Sequence, residues 1–217
     1  MGLIMSAQME TAYVYIKERI LNNTYKPSQK LTEIQLADEI GVSRNTIKKA
    51  LLKLEQENLV EMEENKGATI KSFTLEEILN YLEIREALEV LTIKSAIHQM
   101  SDADIKELGQ ILKDMEIQVQ NGNFTQYSAL NKQFHNIIYK SSKNIQSVEL
   151  INLIKTQLSR VDIRSVLVPG RNQQSLEEHT RIFQALKNRD EKEAEEAMRA
   201  HISNVRRTIR DNHLILL

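Results

Sequence analysis

Three histidines and an asparagine are the residues of this chain with the types and spacing to do inorganic chemistry. Asn131 and His135 stand four apart in a stretch of helical periodicity, so they lie one turn apart on one face. His179 opens the fifth helix read in the C-terminal region and His201 sits near the middle of the sixth. Each imidazole therefore comes from a different element, as a site inside a helical bundle requires. Three neutral imidazoles converging on a cavity suit a borderline divalent cation, with coordination positions left for water or a ligand. On spacing alone a second role stays open, because a histidine among aliphatic helix residues commonly packs in a core or faces solvent. The chain has no cysteine, which removes disulfides and thiolate metal sites and fits a reducing compartment.

The second chemistry is cationic. Residues 31–60, LTEIQLADEIGVSRNTIKKALLKLEQENLV, read as two short helices meeting at a glycine turn. Thr32 with Gln35 makes a capping box for the first helix, whose Leu36, Ala37 and Ile40 face inward before Gly41 breaks it. Ser43 caps the next helix, in which Ile47, Ala50, Leu51 and Leu54 recur at i, i+3, i+4, i+7 and fix a buried stripe. The opposite side carries Arg44, Asn45, Lys48, Lys49 and Lys53, with no acidic residue along this helix until Glu55. Such a helix offers donors to phosphates and base edges, so a helix-turn-helix that binds double-stranded DNA is expected. The candidate DNA contacts are Thr32, Ser43, Arg44, Asn45, Thr46, Lys48, Lys49 and, from the segment that follows, Lys66.

That segment reads as a wing. Residues 59–63 and 68–71 are short extended runs joined by Glu64-Asn65-Lys66-Gly67. Glu61, Glu63 and Glu64 make it acidic, which would repel phosphate unless Lys66 at the tip makes the contact. Upstream, Tyr13, Ile16 and Ile20 form one helix face, and the loop NNTYKPSQK ends that helix.

At 217 residues the chain has room for this small domain, residues 1–71, and a larger one, residues 72–217, with its own core. Its net charge of −1 means that DNA affinity must come from local clustering. No apolar run reaches the ~20 residues needed to span a bilayer, and the N-terminus lacks a signal-peptide core, so a cytoplasmic location is expected. Beyond Ser72 the pattern stays helical. Caps at Thr74, Ser101 and Asp190 and breaks such as NGN, SKN and VPGRN predict six helices, near 75–99, 102–120, 123–141, 145–166, 174–187 and 190–212. The fold class is mostly α: a winged helix-turn-helix followed by an antiparallel helical bundle. The linker Lys71-Ser72-Phe73 is short enough to couple the two mechanically.

The segments VYIKERILNNTYKPSQKL, LADEIGVSRNTIKKALLKLEQENLV and NKGATI resemble the winged helix of the GntR family of bacterial transcription regulators. Two departures stand out: Asn45-Thr46 replaces a usual Thr-Pro pair, and Lys48 replaces a usual arginine; Ser28 also stands where glycine is common. Lys48 lacks the planar fork that pairs bidentately with guanine, so base reading moves toward Arg44, Asn45 and Thr46. Residues 83–89 (EIREALE), 131–135 (NKQFH), Glu178-His179 and 198–201 (MRAH) are similar to landmarks of the FCD effector domain attached to many GntR regulators.

That resemblance implies a metal site at Asn131, His135, His179 and His201, holding zinc or nickel, with Asn131 where the family usually has aspartate. It also implies a homodimer, more commonly a repressor, on a palindromic operator. An ion held by neutral ligands keeps its full charge and attracts a small organic acid, for which Arg85 and Tyr139 are candidate contacts and Arg164 and Arg160, one turn apart, weaker ones. Two rivals are a metal-sensing DNA-binding regulator and an all-α metalloenzyme. The enzyme lacks an obvious general base, because Glu178 neighbours His179 and is expected to face about 100° away from it.

Overall fold

The structure is a computed structural model that describes residues 7–63, 66–165 and 168–216, without the side chains of residues 160–164. Glu64 and Asn65 of the wing turn and the side chains of Arg160 and Arg164 lie outside the described residues. The chain forms two compact units, the first ending at Thr74 and the second beginning at Leu75.

The first unit contains α1 (Ala7–Leu21), β1 (Lys30–Leu31), α2 (Glu33–Ile40), α3 (Arg44–Gln56), β2 (Val60–Glu63) and β3 (Gly67–Ile70). Thr32 caps α2 through the Gln35 amide, and Gly41 ends it at φ 76°, a left-handed conformation that glycine adopts without a Cβ clash. Ser43 caps α3 by accepting from the Thr46 amide. Tyr13, Ile16 and Ile20 of α1 pack with Leu36, Ile47, Leu51 and Leu54 in one core, so the apolar spacing of each helix is spent on a shared interior.

The sheet has three antiparallel strands in the order β1-β3-β2, although only the last two were expected. At two residues β1 is too short to show any alternation in sequence. It exists because Lys30 and Leu31 pair with Thr69 and Ala68. Two further backbone bonds, Ser28 N to Ile70 O and Ile70 N to Gln29 O, both at 2.9 Å, extend the attachment. Ser28 lies at φ 61°, the left-handed region that favours glycine.

The second unit contains α4 (Leu75–Ile97), α5 (Asp102–Gln120), α6 (Phe124–Ser141), α7 (Ile145–Ser165), α8 (Arg171–Lys187), α9 (Glu191–Asp211) and the short α10 (His213–Leu216). Ser101 and Asp104 form the expected capping box, and the Asp190 side chain accepts from the Glu193 amide. Helix α4 packs on α9, α7 and α6, while α5 packs on α6 and α8, and α8 on α9. Helix α8 begins at Arg171, not near residue 174, because Gly170 at φ 79° starts it with no side-chain cap. His179 is accordingly two turns inside the helix instead of at its opening. No helix among the described residues is long and apolar enough to cross a membrane.

The wing turn generates a stability prediction. A Cβ at Gly67 would lie 2.1 Å from the Leu31 carbonyl oxygen, and the residue has φ 103°. Gly67→Ala should therefore destabilise the first unit by about 2–4 kcal/mol, read as a lowered denaturation midpoint. A wild-type midpoint would mean that β1 and β3 do not approach this closely.

Candidate metal centre and nucleic-acid interface

His135 on α6, His179 on α8 and His201 on α9 are all buried, and one ligand nitrogen from each lies within 4.8 Å of the others. Two of the rings have their tautomers fixed by what the other nitrogen does. His179 Nδ1 donates to the Ser175 carbonyl at 2.6 Å and His201 Nδ1 to the Glu178 carboxylate at 2.7 Å. Each Nε2 is then left with a free lone pair. His135 Nε2 lies 3.2 Å from His179 Nε2.

That donor set fits a divalent cation. Two nitrogens 3.2 Å apart have the separation of neighbouring ligands on an ion with bonds of ~2.1 Å. All three ligand nitrogens lie within 4.8 Å of one another, close to the ~4.2 Å that two such bonds can bridge. One turn before His135 on α6, Asn131 Oδ1 is buried without a hydrogen-bond partner, in keeping with an atom that has a ligand to meet.

Burial holds all three imidazoles in the neutral, metal-binding form. It pushes His135 well below its ordinary range, reinforced by the Lys155 charge, and His179 down to about 3, reinforced by His201. For His201 burial also prevails, although the Glu178 carboxylate pulls the other way.

Glu178 does not face away, as the helical-wheel argument expected. It is nine-tenths buried and accepts from four groups: Arg171 Nη1 and Nη2 at 3.2 and 2.8 Å, Asn204 Nδ2 at 2.8 Å, and His201. Burial alone would raise it, but His201 and Arg171 outweigh burial and bring it down to about 2. Neighbouring side chains do diverge, yet a glutamate two helical turns past Arg171 reaches across to α9. Its role is to orient His201.

The expected acid-binding residues are next to this cluster but already engaged with each other. Arg85 Nε bonds Glu89 Oε1 at 3.1 Å within α4, and the Tyr139 hydroxyl donates to the same oxygen at 2.7 Å. Lys155 Nζ, which the sequence reading passed over, reaches the Tyr139 hydroxyl at 3.3 Å. The Arg85 charge acts on both His135 and His201, so it lies within electrostatic reach of the triad. Helical spacing carried the signals for the missed residues: Arg85 and Glu89 are i, i+4, Arg171 and Glu178 i, i+7, and His201 and Asn204 i, i+3.

In the first unit Arg44, Asn45, Lys48 and Lys49 are exposed on α3, and Lys66 is exposed at the wing. Thr32, Ser43 and Thr46 spend their hydroxyls on caps and on each other: Thr32 bonds Gln35, and Ser43 bonds Thr46 at 2.8 Å. Lys53 departs from the cationic face. Its ammonium lies 3.2 Å from Glu10 and 3.5 Å from the Tyr13 ring centroid, both on α1. The acid-free stretch along α3 also gains an acid from outside, since Glu33 of α2 lies 4.0 Å from Arg44. On the wing, Glu63 pairs with Lys30 at 3.2 Å, which offsets part of the acidity expected there.

Comparison with known proteins agrees with both halves. Residues 8–70 match the bacterial regulatory proteins of the gntR family, and residues 80–204 match the FCD domain. The HTH-type transcriptional regulator YdhC of Bacillus subtilis (strain 168) is 28% identical over 193 residues, covering 88% of this chain and 86% of that protein. The HTH-type transcriptional repressor RspR of Escherichia coli (strain K12) is 22% identical over 198 residues, covering 91% and 87%. E. coli McbR/YncC shares the fold with a TM-score of 0.75 at 19% identity, covering 95% of this chain and 99% of that one. The chain belongs to the gntR family of bacterial regulatory proteins with an FCD domain: it is a DNA-binding transcription regulator and not an enzyme.

Proposed function

We propose that this protein acts in the cytoplasm as a homodimeric repressor on an inverted-repeat operator. A small organic acid, drawn to a divalent ion on the histidine triad, would change its affinity for that operator. The observation that carries the effector half is the convergence of three buried, neutral imidazoles from α6, α8 and α9. His135, His179 and His201 would hold zinc or nickel, with Asn131 Oδ1 as a fourth, uncharged ligand. The ion would supply a positive charge that attracts a carboxylate. Arg85, Tyr139 and Lys155 add polar groups on one side, and Arg164 remains a candidate from α7. Repression accords with the similarity to RspR, a transcriptional repressor.

The dimer reading rests on α4. Ile84 and Leu91 are 54% and 45% exposed there, and Ala87 and Leu88 complete an apolar stripe at i, i+3, i+4, i+7. Its neighbour α7 exposes Ile145 and Leu150. A second copy of the same stripe is a self-complementary cover for it. Ile84→Asp with Leu91→Asp should yield a monomer by light scattering, with operator affinity reduced at least tenfold; an unchanged dimer would move the interface elsewhere.

On DNA, Arg44→Ala removes a bidentate guanine reader and should cost about 1–3 kcal/mol while relaxing one position of the site. Lys48→Ala should weaken all sequences alike and lower the salt dependence. Titration of operator and random duplexes with both variants checks this, and wild-type behaviour from both would remove α3 as the recognition helix.

For the triad, protein purified without chelator or an affinity tag should carry stoichiometric divalent metal. His179→Ala should remove it, and Asn131→Asp should bind it more tightly. The metal-free protein should also be acid-sensitive. His179 has a folded pKa of about 3 against 6.5 in the unfolded chain, so the unfolded state binds more protons between those values. Stability is then full above pH 6.5 and declines as pH falls toward 3, by on the order of 4 kcal/mol. Below 4.5 the protonation of Glu178 adds to the loss. Thermal melts from pH 7.5 to 4 measure the slope, and a flat profile would contradict the buried neutral triad.

A further inference from the structure

Glu89 is fully buried on α4, and only one of its two oxygens is in use. Oε1 takes both the Arg85 and the Tyr139 bonds, at 3.1 and 2.7 Å, whereas Oε2 is buried with no hydrogen-bond partner. A carboxylate oxygen removed from water and given no donor is strongly unfavourable, so its persistence calls for a ligand that supplies one. The position is beside the triad: the Tyr139 ring centroid is 6.0 Å from that of His135, one turn earlier on α6. A ligand that offers nothing but carboxylate oxygens cannot serve Oε2, since acceptor would face acceptor.

We infer that the effector is a carboxylate with a hydroxyl close to its acid group, and that Glu89 Oε2 is the specificity-determining atom that accepts from that hydroxyl. This rests on the carboxylate reading of the triad given above. An ammonium would donate equally well, but Arg85 and Lys155 already place two cations beside Glu89 and Tyr139 and would repel a third. The neutral hydroxyl avoids that repulsion.

The test uses the metal-loaded full chain and calorimetric titration with matched acids: glycolate and acetate, lactate and propionate, malate and succinate. At least one hydroxy acid should bind about 10- to 100-fold more tightly than its partner, the range for one hydrogen bond to a charged group. In Glu89→Gln, Arg85 and Tyr139 hold the amide oxygen and turn the amino group toward the ligand. The preference should then fall to within threefold or invert, with metal content unchanged. If neither member of any pair binds, the carboxylate reading fails and takes this inference with it. Pairs that bind within threefold of each other on the wild-type protein leave the carboxylate reading standing and overturn the role of Glu89. A hydroxy-acid preference that survives intact in Glu89→Gln overturns it as well. Should that variant not fold, the matched pairs on wild type decide by the same threefold criterion.

Discussion

The buried carboxylate of Glu178 is the constraint on which the chemistry of the helical unit depends. Withdrawing an ionised carboxylate from water is unfavourable by several kcal/mol, and only good geometry from every partner offsets it. Here the partners are a bidentate Arg171, Asn204 and His201, so one residue ties the start of α8 to the middle of α9. Because Arg171 is the first residue of α8, the same pair anchors a helix start that has no side-chain cap. Because His201 donates its Nδ1–H to the Glu178 carboxylate, its Nε2 keeps a lone pair for a ligand. Fold and ligand presentation are thus one arrangement, and the loss of either charge would leave the other buried and uncompensated.

What could be read in the sequence was what repeats along one element. Caps at Thr32, Ser43, Ser101 and Asp190 mark helix starts through local side-chain bonds, and they recur in the structure. The histidines were legible as a set because three separate helices each carry one at an inward position. What was not legible depends on partners distant in the chain. Glu178 was judged from its angle to His179 alone, although its direction is set by Arg171 and by a helix that begins after Asp190. The start of α8 was missed because Gly170 needs no capping side chain and leaves no signature beyond a turn.

The DNA-facing surface shows the same limit from the other side. A helical wheel of α3 correctly separates the buried stripe from the cations, yet it counts every lysine on the outer face as available. Lys53 is turned to Glu10 and the Tyr13 ring, and Glu33 approaches Arg44 from the preceding helix. The positive field of α3 is therefore narrower than its composition implies, and centred on its first two turns. That is where Arg44, Asn45 and Lys48 stand exposed, at the N-terminal end of the helix.

The two-residue strand β1 has a consequence for how this unit meets a duplex. Stitched along one edge by β2 and along the other by Leu31, Ser28 and Gln29, the hairpin arm β3 has no unpaired side over most of its length. A wing bound only through β2 would sample many orientations and have to surrender them at the moment of complex formation. Fixing a residue's backbone costs roughly 1–2 kcal/mol in conformational entropy, and here that loss is taken during folding. The arm is preorganised before any partner is met, so whatever contacts it makes count almost in full toward affinity.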